Sequence, residues 1–254
     1  MRCRWNMSFK DFWTNENNPT LLQSEYLYGT KHIIVLCIVA FLSVALSLIF
    51  KNKSKRAKDI LMYVLGSILL FFEITSRLVN LIIETNYTLE NVAKILLPLH
   101  ICSVMVWIFI FAIFTRKQWL INYSVIGGIL ATIAFLLYPA VGLNKVYLSF
   151  TCLYSIISHM TGFICCILLM TLGYTKFECR KIWQVLLCFS VMFIWGALLN
   201  FVIFPGSDYM YMVNDPLNLP LAYPYQILYV MVIFIYTCSF YFITYLKNRK
   251  KVKN

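Results

Sequence analysis

Five polar side chains that could serve as acid, base or anion ligand lie inside apolar stretches long enough to cross a lipid bilayer. They are Glu73, Arg77, His100, His159 and Asn200. Ionisable groups at that depth are costly, and they persist where they pair with one another or line a cavity. We therefore treat them as the first candidates for a functional site.

The carboxylate and the guanidinium of this set are four residues apart. At that spacing Glu73 and Arg77 meet on one face of a helix, and in hydrocarbon each charge lowers the cost of the other. Two interpretations stay open. Glu73 orients Arg77 toward a phosphate or an oxyanion, or the two form an internal ion pair that only holds helices together.

Each of the two deeply placed histidines has serines at helical spacing. Ser103 follows His100 by three positions and Ser155 precedes His159 by four, so each pair projects from one side of a helix. An imidazole transfers protons near neutral pH, which predicts His100 and His159 as catalytic general bases. The alternatives are a histidine that only bonds a backbone carbonyl, and small residues that only let helices approach closely.

Asn200 and three further residues are predicted to support the site from the same side of the bilayer. His32 begins the first apolar stretch, and Asn200 lies in the outer half of the sixth. Asp215 and Tyr225 lie in a loop rich in proline and tyrosine, which forms either a lid over the site or an interfacial aromatic belt.

The nine cysteines show no metal-ligand spacing, and no metal or other cofactor is predicted. A zinc-dependent hydrolase remains an alternative. It would require some of His32, His100, His159 and Glu73 to converge on one ion from separate helices.

The elements that position these residues are helices in a membrane. Mean hydropathy is +0.76 and only 13% of residues are charged, far below the roughly 25% of soluble domains. We predict an all-α fold with seven transmembrane helices, because seven segments supply the roughly 20 apolar residues that a spanning helix needs. They are 31–50, 60–83, 95–115, 119–139, 148–173, 182–205 and 220–246. Residues 1–30 form an interfacial segment and 247–254 a basic tail.

Most of the 22 Lys and Arg residues follow the first, third and fifth spans or lie in the tail. Since positive loops stay in the cytoplasm, the N-terminus is predicted outside and the C-terminus inside. The net charge of +12 thus reflects topology and contact with anionic lipid heads, and no nucleic-acid partner is predicted.

Several motifs, in chain order, resemble those of the YwaF-type bacterial integral membrane proteins. They are Tyr28-Gly29-Thr30-Lys31-His32, Glu73-x-x-x-Arg77, Leu97-Pro98-Leu99-His100-Ile101-Cys102, Tyr138-Pro139, Ser158-His159, and Asp215-Pro216 followed by Pro224-Tyr225. The resemblance covers nearly the whole chain and implies a bacterial plasma membrane location.

A eukaryotic relative of these proteins looks like an acyltransferase for ether phospholipids, with a cysteine next to the histidine of the third-span motif. Here Leu99 precedes His100, and Cys102 is two residues later, about 200° around a helix. A cysteine-borne acyl intermediate is therefore not carried over to this chain.

The leading hypothesis is an intramembrane acyltransferase or hydrolase that acts on membrane phospholipids from the outer leaflet. The alternative from another class is a transporter or binding protein for a small anion or a proton-coupled solute, since buried Glu, Arg and His also serve proton relays. The oligomeric state is left open.

Overall fold

The structure is a computed structural model that describes residues 12–13, 27–138, 149–213 and 225–253. In these ranges the regular elements are helical. The main helices are α1 (Thr30–Lys51), α2 (Lys55–Ile83), α3 (Leu89–Leu96), α4 (Ile101–Thr115), α5 (Gln118–Leu137), α6 (Phe150–Thr171), α7 (Ile182–Leu198) and α8 (Tyr225–Lys253).

The structure has six or seven candidate membrane-spanning helices, against the seven predicted. Within the described ranges six helices are long and apolar enough to cross a membrane, and α3 with α4 forms a pair bent by 55° that gives a seventh if the pair is one span. The gap between the predicted third and fourth spans is a short turn. Arg116 ends α4 in the left-handed conformation, with φ 57°, and α5 begins at Gln118.

The third span differs from the predicted range, in which residues 95–115 form one helix. The chain instead leaves the helical conformation between Leu96 and Ile101. Leu97 is extended, with φ −81° and ψ 146°, as expected for a residue that precedes proline. Because Pro98 also lacks an N–H, the helix restarts only after His100, which is the N-cap of α4.

The centre of the bundle is α6, which packs against α1, α2, α4 and α5. Close approach of α4, α5 and α6 depends on Gly128. A Cβ atom there would lie 2.2 Å from Cζ of Phe109 and 2.9 Å from Sγ of Cys166. Small residues at such crossings are typical of membrane helix packing.

Large apolar side chains cover the outside of the bundle. Phe41, Leu48, Phe71 and Phe201, on three different parts of the chain, each expose more than 60% of their surface. Such continuous apolar exposure suits a surface that faces lipid rather than water.

One end of the bundle, which we call the basic end, joins the start of α2, the end of α4 and the loop after α6. Arg116 forms an ion pair with Asp59 at 3.1 Å and lies over the rings of Tyr63 and Tyr174. The hydroxyl of Tyr174 donates to Asp59 at 2.6 Å, and burial raises the pKa of Tyr174 to about 12, so this donor keeps its proton at neutral pH. The break at His100 lies at the opposite end.

Candidate functional site

A cavity of about 330 Å³, which we call the polar cavity, lies between α2, α3, α4 and α6 at the end opposite the basic end. Its lining is mostly polar and comes from four stretches of chain. The lining residues are Glu73, Ser76, Arg77, Asn80, Glu84, Asn91, Lys94, Ile95, Leu97, Leu99, His100, Ser103 and Tyr154. Of the predicted site residues, the structure thus brings Glu73, Arg77, His100 and Ser103 together.

Glu73 and Arg77 form the inner wall of the polar cavity. Glu73 is fully buried, and its Oε1 accepts from Nε of Arg77 at 2.9 Å and from Nη2 of the same guanidinium. Oε2 accepts the hydroxyl of Tyr154 on α6. The carboxylate is therefore paired on both oxygens, which is the condition under which a buried charge is tolerated.

The other side of the guanidinium binds backbone carbonyls at the C-terminal end of α3. Nη1 of Arg77 lies 2.7 Å from the carbonyl oxygen of Ile95 and also contacts those of Leu96 and Leu97. Carbonyls at a helix C-terminus lack partners within the helix and carry partial negative charge, so a cation there is favourable. Most N–H donors of Arg77 are bonded to protein groups, so this residue fixes the cavity wall. Few of its donors remain to bind a phosphate.

Three further polar side chains of the polar cavity remain available to a ligand. The side chains of Ser76, Asn80 and Ser103 line the polar cavity and make no hydrogen bond to any residue in the described ranges. His100 lines the same cavity from the break between α3 and α4, and its ring lies edge-on to that of Tyr209, with centroids 5.6 Å apart.

Asn200 lies outside the polar cavity and binds the backbone of Tyr209. It lies in a π-helical turn, Leu199–Ile203, that follows α7. Its Nδ2 donates to the carbonyl of Tyr209 at 2.9 Å, and its Oδ1 accepts the Tyr209 N–H at 2.7 Å. Asn200 therefore does not line the cavity but fixes the segment whose Tyr209 contacts His100.

A second contact fastens α7 to the helix break. Nε1 of Trp195 donates to the carbonyl of Pro98 at 3.1 Å, and Leu99, Leu199 and Phe204 pack together beside it. Sequence reasoning missed Tyr154, Trp195 and Tyr209, since aromatic residues are common throughout membrane spans and nothing in their spacing marks these three.

His159 lies elsewhere, so the prediction that both histidines line one pocket is wrong. Its ring stacks on Phe135, with centroids 3.7 Å apart, and Nδ1 lies 2.6 Å from the carbonyl oxygen of Ser155, which assigns the ring proton to Nδ1. The ring borders a separate space of about 10 Å³, which we call the His159 cavity. Its lining is mainly apolar: Cys102, Met105, Val106, Phe109, Ala131, Thr132, Ser158, His159 and Gly162.

Helix α4 separates the two cavities. Ser103 faces the polar cavity whereas Cys102 faces the His159 cavity. Adjacent helical residues point about 100° apart, which accounts for this division.

His32 is also outside the polar cavity. It is buried, its Nδ1 accepts the backbone N–H of Tyr28 at 3.0 Å, and Nε2 lies 2.6 Å from the carbonyl oxygen of Leu136. Both ring nitrogens thus join the start of α1 to the end of α5. The prediction for Asp215 falls outside the described residues, as does the one for the side chain of Tyr225.

Within the described ranges no three His, Cys, Asp or Glu side chains come close enough together to hold a metal ion. The zinc alternative needs several of His32, His100, His159 and Glu73 near one point, whereas these residues lie at three separate places. We do not pursue it.

Comparison with known proteins gives one match. No curated protein and no solved structure matches the chain significantly. The sequence profile of the TMEM164 family, a family of membrane proteins, matches residues 27–244, which include every membrane-crossing helix of the described part except the last turns of α8. The chain therefore belongs to the TMEM164 family and is an integral membrane protein.

Proposed function

We propose that this protein is an intramembrane enzyme that transfers or hydrolyses the acyl chain of a membrane phospholipid in the polar cavity. The observation that carries the proposal is the combination of His100 with uncommitted hydroxyl and amide groups around a cavity of about 330 Å³. That volume lies within the range of ligand-binding pockets, roughly 300–1,000 Å³.

His100 serves as the general base. An imidazole nitrogen takes the proton from the hydroxyl of water or of a lysophospholipid, and the oxygen attacks the acyl carbonyl. When the intermediate collapses, the imidazolium returns the proton to the departing alkoxide. The side chains of Asn80 and Ser103 donate hydrogen bonds to the oxyanion, a role that preorganised polar groups perform well in a water-poor site.

The surroundings of the polar cavity support a lipid substrate. Leu78, Ile82, Leu89 and Leu96, on two of the helices that border it, are all exposed. Acyl chains can therefore lie beside the opening while the headgroup and ester enter the cavity. A eukaryotic relative of the bacterial proteins that the motifs resemble looks like an acyltransferase for ether phospholipids, which also favours a lipid substrate. With the basic end in the cytoplasm, the cavity opens to the outer leaflet of the cell membrane.

The transporter alternative lacks a comparable observation. A transported solute would have to pass from the polar cavity toward the basic end. Fully buried Met62, Leu69 and Phe109 pack tightly along that direction. We therefore favour chemistry on a lipid that enters from the side.

The test is acyl turnover by the purified protein in liposomes that contain a phospholipid with a labelled acyl chain. His100→Gln should lower the rate at least a hundredfold, roughly the contribution of a general base. His159→Gln is the matched control, because the same substitution lies outside the polar cavity, and it should retain the parental rate. Full turnover by His100→Gln would refute the proposed role of His100. Solute uptake by the parent protein without acyl turnover would establish the transporter instead.

A further inference from the structure

The outer face of α2 carries an apolar groove of about 450 Å³, on the side of the helix opposite the buried face that holds Glu73. The small side chain of Ser67 leaves a hollow between Tyr63 and Val64 on one side and Phe71 on the other. The ring of Tyr63 is stacked on Phe114 of α4, with centroids 5.7 Å apart, so one wall of the groove is fixed. The opposite face of α2 holds the buried Met62, Leu65 and Leu69.

Positive charge is concentrated at the end of this groove. Residues 51–58 include Lys51, Lys53, Lys55, Arg56 and Lys58. The nearest carboxylate, that of Asp59, is already engaged by Arg116 and Tyr174. Among the described residues none of the five cations forms an ion pair. The segment therefore attracts anions.

One of these cations is aligned with the groove. Arg56, Ile60, Tyr63, Ser67 and Phe71 are spaced by three or four residues and share one face of α2. Lys55 and Lys58 project about 100° and 200° away from Arg56. A guanidinium is also the side chain best suited to bind a phosphate through two parallel hydrogen bonds.

The length of the groove fits one leaflet. From Ile60 to Phe72 the helix rises about 18 Å at 1.5 Å per residue. Half of the hydrocarbon core of a bilayer is about 15 Å. An acyl chain that begins at the basic end would thus run along the groove as far as the bilayer midplane.

We propose that this groove binds one anionic phospholipid from the leaflet at the basic end, with its phosphate on Arg56 and an acyl chain over Ser67. The charge of the segment selects an anionic headgroup, and the hollow at Ser67 holds the chain. This site is independent of the chemistry proposed for the polar cavity, because it lies on another face of α2 and toward the opposite end.

The experiment is native mass spectrometry of the full-length protein released from nanodiscs that contain equal amounts of phosphatidylglycerol and phosphatidylcholine. The parent protein should retain one phosphatidylglycerol in preference to phosphatidylcholine. Arg56→Gln should lower this preference about fivefold, since a basic residue near an anionic surface contributes about 1 kcal/mol. Lys55→Gln removes the same charge one residue away and should have a much smaller effect.

Ser67→Phe tests the hollow without changing charge. Because Ser67 is exposed, the bulkier side chain should leave thermal unfolding unchanged while the retained lipid is lost. Equal effects of Arg56→Gln and Lys55→Gln, with none from Ser67→Phe, would overturn the proposal in favour of diffuse attraction. A dimer mass that disappears in Ser67→Phe would overturn it in favour of a second copy of the chain. This experiment measures retained lipid rather than acyl turnover, so failure of the groove proposal can be distinguished from failure of the function proposed for the polar cavity.

Discussion

His100 and His159 have similar sequence surroundings but opposite structural ones. Each has serines at helical spacing within an apolar span. His100 caps a helix after a break and borders a cavity of about 330 Å³, whereas His159 lies inside the continuous helix α6, pressed against Phe135 beside about 10 Å³ of space. The comparison shows that an interruption of the helix, rather than the presence of a histidine, makes room for a ligand.

The break at His100 is stable because other groups satisfy the backbone that it exposes. Arg77 binds the carbonyls at the end of α3, and Trp195 binds that of Pro98. In lipid such carbonyls would otherwise each cost several kcal/mol. The His159 region needs no such support, since its backbone is helical throughout.

The largest effect on stability is expected from Glu73→Gln. Glutamine leaves the Arg77 guanidinium without its counter-charge in a buried place, and breaking a buried pair from one side costs about 3–5 kcal/mol. The free energy of unfolding in detergent micelles, followed by tryptophan fluorescence, measures this loss.

Glu90→Gln is the matched control for that variant. It removes the same charge from a second i, i+4 pair, Glu90 with Lys94, in which both side chains are at least 36% exposed. Exposed pairs contribute less than about 1 kcal/mol. Equal effects of the two variants would contradict the view that the polar cavity is built around a buried charge.

A smaller effect is expected from Asn200→Ala. This change removes both hydrogen bonds to the backbone of Tyr209, and two hydrogen bonds at roughly 1 kcal/mol each give a loss of about 2 kcal/mol. Acyl turnover should fall as well, because Tyr209 is then no longer held against His100.

Asn200→Asp separates positioning from stability for that residue. Aspartate keeps the acceptor for the Tyr209 N–H and loses the donor, so it should recover part of the turnover. If Asn200→Ala unfolds earlier but turns over lipid at the parental rate, Asn200 has no role in positioning the site.

Much of the fold could be predicted because membrane thickness sets the length of each helix. The six single spans differ from their predicted ranges mainly at the ends. Helix α2, for example, begins five residues before its predicted range, in the charged segment that starts at Lys55. The Glu73–Arg77 contact and the shared side of His100 and Ser103 were also predictable, because both follow from helical periodicity alone.

The remaining features depend on packing between distant segments, which periodicity does not encode. Tyr154 meets Glu73 across 81 positions, and Trp195 meets Pro98 across 97. The same limit explains the error for His159. Its spacing from Ser155 predicts a polar side of the helix. In the structure, however, the backbone carbonyl of Ser155 bonds the His159 ring, and Phe135 from α5 covers the ring face.

The smallest effect is expected from His159→Leu. The substitution loses the hydrogen bond from Nδ1 to the carbonyl of Ser155, at roughly 1 kcal/mol. It also removes Nε2, a buried nitrogen without a hydrogen-bond partner in the described ranges, whose burial costs a comparable amount. The two contributions oppose each other, so the free energy of unfolding should change by less than about 1 kcal/mol, with acyl turnover unaltered. A loss of stability near that of Glu73→Gln, or of turnover near that of His100→Gln, would show that the two histidines act as one site despite α4 between them.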